Sequence, residues 1–181
     1  SVNPVVGETS DGYLSDLQAR PIGLAEVRAA MAAASAEVAE GAVGAGTGTS
    51  CYGWKGGIGT ASRVLSGDLG GYTVGALVQT NFGRAEELTI CGVPVGRQLR
   101  PPVTDRKGER EKGRKGTGEG QAVDLGGSIM MVLATDAPLD ARGLGRLCRR
   151  AAFGLARTGS TCHGGSGDFV IAFSTTNRIA D

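Results

Sequence analysis

From Pro21 the chain sets Leu24, Val27, Met31, Ala34 and Val38 three or four residues apart before reaching Gly41. That spacing gathers apolar side chains on one side of an α-helix, and a proline at its start and a glycine at its stop fit the ends. The period then breaks. Positions 41–59 are dense in glycine, including Gly44, Gly46, Gly48, Gly53, Gly56 and Gly57, and read as loop or tightly packed irregular backbone. The run 72–82 (YTVGALVQTNF) is apolar and β-branched between Gly70-Gly71 and Gly83, and 88–95 turns around Gly92. The first reads as a strand and the second as a hairpin.

Between Arg97 and Lys115 stand eight basic and three acidic residues with Pro101 and Pro102. No hydrophobic period survives there, which predicts a solvated loop. Order resumes near Val123. The continuous apolar run 129–134 (IMMVLA) predicts a strand buried on both faces. After Pro138 a second helix turns Leu144, Leu147, Cys148, Ala151 and Leu155 inward and Arg146, Arg149 and Arg150 outward, until Gly159 stops it. A last strand follows at 169–173 (FVIAF). Helix, strands, strand, helix, strand is the order of a layered α/β domain.

A chain of 181 residues with 40% hydrophobic content is expected to form a single domain, 1–181. Net charge is +1, from 19 basic and 18 acidic residues, so no overall field draws the protein to nucleic acid or to a membrane surface. No apolar run nears the roughly 20 residues of a membrane helix, and the first residues lack a secretory layout, so a cytoplasmic location is expected. Cys51, Cys91, Cys148 and Cys162 lack zinc-site spacing, and neither metal nor cofactor is expected. Glycine changes the picture: 32 of 181, against roughly 7% in ordinary proteins.

The GAGTG stretch at Gly44 to Gly48 invites a nucleotide-binding reading. It follows a helix, however, where a dinucleotide loop follows a strand and opens a helix, so tight packing is preferred. Cys162 and His163 are adjacent, but His163 is the only histidine, too few ligands for a metal and the only base a serine triad could use. The basic stretch contains no aromatic residue on which bases could stack.

Gly126-Gly127-Ser128, leading directly into the buried run, admits a more specific chemistry. A glycine ahead of a hydroxyl residue leaves the carbonyl open to attack. The Ser128 hydroxyl can add to the Gly127 carbonyl, shift the acyl group from nitrogen to oxygen, and let water free a new amino terminus. That amine, titrating near about 7.7 to 8.0, can act as base for its own hydroxyl. On spacing alone, an ordinary Gly-Gly-Ser turn before a strand is the simpler account.

Several stretches together tip the balance. VVGETSDGYLSD (5–16), GAGTG with CYGWKGGIGTASR (44–63), GALVQTNFG (75–83), GGSIMMVLATDAPL (126–139), RTGS (157–160) and GSGDFVIAFST (165–175), in this order, resemble the DmpA family of L-aminopeptidases/D-amidases, relatives of the ornithine acetyltransferases. The resemblance implies an αββα sandwich with two β-sheet layers between helices, cleaved at Gly127–Ser128 into an α-chain part (1–127) and a β-chain part (128–181). It makes Ser128 the nucleophile and Asn81 the oxyanion donor, acting with a backbone amide. Tyr13 becomes the site tyrosine, and Ser166 with Asp168 the pair beside the new amine. Asp168 stands where some members have glutamate, and members extend beyond both ends of this chain. The implied substrates are short peptides, amino-acid amides and esters with a free N-terminus, and the implied assembly is a homo-oligomer, a tetramer in relatives. Acyl transfer of the ornithine acetyltransferase type, a pantetheine-type amidohydrolase, an inactive precursor and a non-catalytic nucleotide-binding module are the alternatives.

Overall fold

The computed structural model describes residues 4–12, 14–102 and 127–177. Strands β1 (Ser50–Cys51) and β2 (Trp54–Lys55) form a short ribbon, while β3 (Gly57–Val64), β4 (Thr73–Asn81), β5 (Ser128–Thr135) and β6 (Gly167–Ser174) lie side by side in that order in one sheet. β4 runs antiparallel to both β3 and β5, and β6 runs parallel to β5. A parallel neighbour requires a crossover, supplied here by helix α2 (Ala141–Ala156). Asp140 caps that helix by accepting the Gly143 N–H at 2.7 Å.

As the apolar run implies, β5 is the most deeply buried strand, with Ile129, Met130, Met131 and Leu133 all inside. Ile129 and Met131 meet Leu155 of α2 together with Tyr52 and Phe82, and Val78, Ala151 and Val170 close around them. Tyr52 and Phe82 meet edge to face, centroids 5.1 Å apart. The opposite sheet face is partly covered by the N-terminal segment: Gly7 lies over Met130, and Gln79 Nε2 donates to the Thr9 hydroxyl at 2.7 Å. Elsewhere on that face Phe169 and Phe173 stand 58% and 46% exposed. The described residues thus contribute one sheet with a helix packed on one face.

Three expectations need correction. The first helix, α1 (Leu24–Ala32), has nine residues, all of them exposed, and ends well before Gly41. With none of the described residues burying its apolar stripe, a short helix gains little by growing, and past its end the Ser35 hydroxyl bonds the Glu37 carbonyl instead. The glycine-dense segment is not all irregular: it holds β1, β2 and the start of β3. Glycine lets these backbones touch, since a Cβ on Gly46 would fall 2.8 Å from the Gly41 carbonyl oxygen and from Gly57 Cα. The hairpin at 88–95 reduces to one bridge, Ile90 to Val93, across Cys91-Gly92, because beyond it the Val95 N–H turns back to the Val93 carbonyl and the Leu88 carbonyl takes the Gly96 N–H instead. The basic stretch from 103 onward, Val123 and Gly126 lie outside the described residues.

Leu155 is 5% exposed at the centre of the core. Leu155→Ala should lower the unfolding free energy by about 2 to 4 kcal/mol, as measured by urea denaturation.

Candidate active site

Strand register assembles the site. Asn81 at the end of β4 pairs with Ser128 at the start of β5, and Ser128 pairs on its other side with Gly167 at the start of β6. Paired residues project to the same side of a sheet. Asn81 and Ser128 therefore share the face opposite α2, and Gly167, on the far side of Ser128, brings no side chain against the serine. A Cβ there would approach Ser128 Oγ to 3.2 Å.

Gly127 is held on both sides. Its carbonyl oxygen accepts the Gly167 N–H at 2.9 Å, so the carbonyl ahead of Ser128 is already polarised by a backbone donor. Its α-carbon rests on the core: an added Cβ would fall 2.8 Å from both Cα and Cβ of Phe82. A glycine before the serine is therefore a steric requirement of this packing.

The Asn81 amide is oriented by its neighbours. Its Oδ1 accepts the Ser50 N–H at 3.0 Å, which turns Nδ2 toward the N-terminal segment, where it donates to the Ser10 carbonyl at 2.5 Å. A primary amide has two N–H donors, and among the described residues the second makes no hydrogen bond. Ser50 is itself fixed. The fully buried Thr49 donates its hydroxyl to the Gly46 carbonyl at 3.0 Å. Lys55 Nζ gathers the carbonyls of Gly46, Thr49 and Gly56 at 2.7, 3.0 and 2.8 Å. Sequence reasoning assigned no role to Lys55, Ser50 or Gly167; the only signal was their place within stretches that match a family.

Ser166 and Asp168 flank Gly167, and the Ser166 hydroxyl donates to Asp168 Oδ1 at 2.6 Å. Strand alternation carries Asp168 level with Ile129, toward the α2 face. Among the described residues neither side chain bonds Ser128 directly, and the backbone of Gly167 links the pair to the serine. Tyr13 lies outside the described residues. Desolvation, and after it the Asp168 carboxylate, pushes the Cys162 thiol above its ordinary range, the reverse of what a thiolate nucleophile needs. His163 bonds Glu87. Among the described residues no cluster of three or more His, Cys, Asp or Glu side chains is placed to hold a metal ion, and no helix is long and apolar enough to cross a membrane.

Against known proteins, the whole chain, residues 1–181, matches the family model for peptidase family S58. It is 46% identical over 180 residues to the beta-peptidyl aminopeptidase BapA of Sphingosinicella microcystinivorans, covering 96% of this chain and 44% of that protein. Among solved structures it resembles the beta-aminopeptidase of a Burkholderia species, with a TM-score of 0.78, 45% identity, and coverage of 94% of this chain and 42% of that one. It also resembles the L-aminopeptidase D-Ala-esterase/amidase of Ochrobactrum anthropi, described as a prototype of the serine aminopeptidases and a variant of the Ntn hydrolase fold. There the TM-score is 0.72 and the identity 46%, over 91% of this chain and 40% of that one. The chain thus spans less than half the length of each of these proteins. The fold is shared with them: an α/β fold of the Ntn-hydrolase type, consistent with an αββα sandwich.

Gly127→Ala, compared with its parent in a Ser128→Ala background so that any cut at this bond is absent from both, should displace Phe82. Urea denaturation should then show a loss of about 1 to 3 kcal/mol.

Proposed function

Since the chain belongs to peptidase family S58, we propose that it carries the nucleophile of an aminopeptidase that processes itself at Gly127–Ser128. The observation that supports this reading best is the three-strand register in which Asn81, Ser128 and Gly167 stand abreast, with the Gly127 carbonyl already bonded to a backbone N–H.

In processing, Ser128 Oγ adds to the Gly127 carbonyl carbon. The carbonyl oxygen takes the negative charge, held by the Gly167 N–H. The C–N bond then breaks, the Ser128 nitrogen leaves as an amine carrying the proton lost by the hydroxyl, and an ester joins Gly127 to Oγ. Water hydrolyses that ester, giving a Gly127 carboxylate and a free Ser128 amino terminus, the start of the 128–181 part.

In turnover, the Ser128 amine takes the hydroxyl proton as Oγ attacks the substrate carbonyl. The second N–H of Asn81 and the vacated N–H of Gly167 stabilise the oxyanion. The Ser128 ammonium then protonates the departing amine, and water clears the acyl-enzyme. Ser166 and Asp168 bind the substrate's own ammonium or steady the Ser128 amine, and Tyr13 serves the substrate or the oxyanion. Suitable substrates are peptides, amino-acid amides and esters with a free N-terminus. Relatives described as beta-aminopeptidases and as an L-aminopeptidase with D-Ala-esterase/amidase activity put β-residue, L-residue and D-residue amides first among those to assay.

Intact-mass analysis of the full-length protein should give two fragments meeting at Gly127/Ser128, and a single uncut, inactive Ser128→Ala chain. A wild-type chain that stays whole while hydrolysing amino-acid amides contradicts the proposal.

A further inference from the structure

We propose that His163 and Glu87 form a positioning pair that ties the chain beyond β4 to the start of β6, and so sets the Gly167 N–H and the Ser166–Asp168 pair against Gly127 and Ser128. The inference rests on the reading of Ser128 given above and assigns a function to the single histidine, which that mechanism leaves unused.

The segment between α2 and β6 has no regular structure from Ser160 to Ser166. Between Thr161 and Gly165, among the described residues, the bond from His163 Nε2 to Glu87 Oε1, 2.8 Å, is the one hydrogen bond to a distant part of the chain. Glu87 is not a loose partner. Its other oxygen accepts the Arg84 N–H at 2.9 Å, which locks the carboxylate to the short turn of helix Ala85–Glu87, six residues past Asn81. The two side chains are only 32% and 17% exposed, so their bond is screened less than a surface pair.

From His163 the constraint passes directly to the site. Its carbonyl accepts the Ser166 N–H at 2.8 Å, and one residue on, the Gly167 N–H reaches the Gly127 carbonyl at 2.9 Å. A second tie, the Thr89 N–H to the Thr158 carbonyl at 2.9 Å, holds the base of the segment but leaves its tip to His163. Neither His163 nor Glu87 touches the reacting atoms. Their role is to keep the two strands that flank Ser128 from parting at the end where the chemistry occurs.

The test measures two rates in full-length protein: cutting at Gly127–Ser128, and kcat/KM on an amino-acid amide. His163→Ala and Glu87→Ala should each lower both by roughly tenfold or more, as expected when donors shift by a fraction of an ångström, with melting temperature little changed. The double variant should be no slower than either single one. His163→Gln, which keeps an N–H donor at the ε position, should recover most of the loss. Single variants as fast as an active wild type, losses that multiply in the double variant, or a Gln variant as slow as Ala would each overturn the pairing. A wild type that neither cuts itself nor hydrolyses the amide brings down the Ser128 reading, and this inference with it.

Discussion

The placement of β5 between an antiparallel and a parallel neighbour is the constraint from which the rest follows. Antiparallel pairing to β4 sets Asn81 opposite Ser128, and parallel pairing to β6 sets Gly167 on the other side. Because side chains alternate with a period of two, a slip of one residue in either pairing would turn Ser128 away from its partner and Ile129 out of the core. The same burial that makes Ile129 and Met131 core residues therefore also aims the serine one position earlier. Packing and chemistry are specified by a single register.

Around that register the site is built from backbone and small polar groups rather than from charge. The carbonyl before Ser128 meets a backbone N–H, and the Asn81 amide is turned by the backbone N–H of Ser50. A nearly neutral chain suits the proposed mechanism, in which the charge that hydrolysis needs is created and neutralised within one residue, by the Ser128 amine and its own hydroxyl. Two charged side chains near the site, Lys55 and Glu87, act at one remove. Among the described residues Lys55 pairs with no acid; it collects three carbonyls to fix the loop that holds Ser50. Glu87 lies beyond the end of β4 and holds His163.

Glycine abundance has two separate causes here. In the segment around Gly46 backbones touch at distances that admit no Cβ, and at Gly127 the chain crosses the core residue Phe82. Both placements bring main-chain groups into the site at close range, which side chains would prevent. A glycine-rich stretch that resembles a phosphate loop in composition thus serves as a packing surface, and the order of elements around it, more than its letters, distinguishes the two.

Along the chain, what local pattern determines was legible from the start. The run 129–134 forms the buried strand its apolar continuity predicts, the face of Leu144, Leu147, Cys148, Ala151 and Leu155 forms the packed side of α2, and the matching stretches point to the family, from which the roles proposed for Ser128 and Asn81 derive. Weakly apolar strands were missed, since Gly57–Val64 has little periodicity to read and forms because β4 offers it a ladder. The first helix was drawn too long because a periodic stripe shows that a helix is possible, not that a surface exists to bury it. Nothing in the letters joins His163 to Glu87, Lys55 to the carbonyls beneath Asn81, or Gly167 to Gly127. Those bonds span residues far apart in sequence, and only folding, which brings β4, β5 and β6 into one sheet, sets them within hydrogen-bond reach.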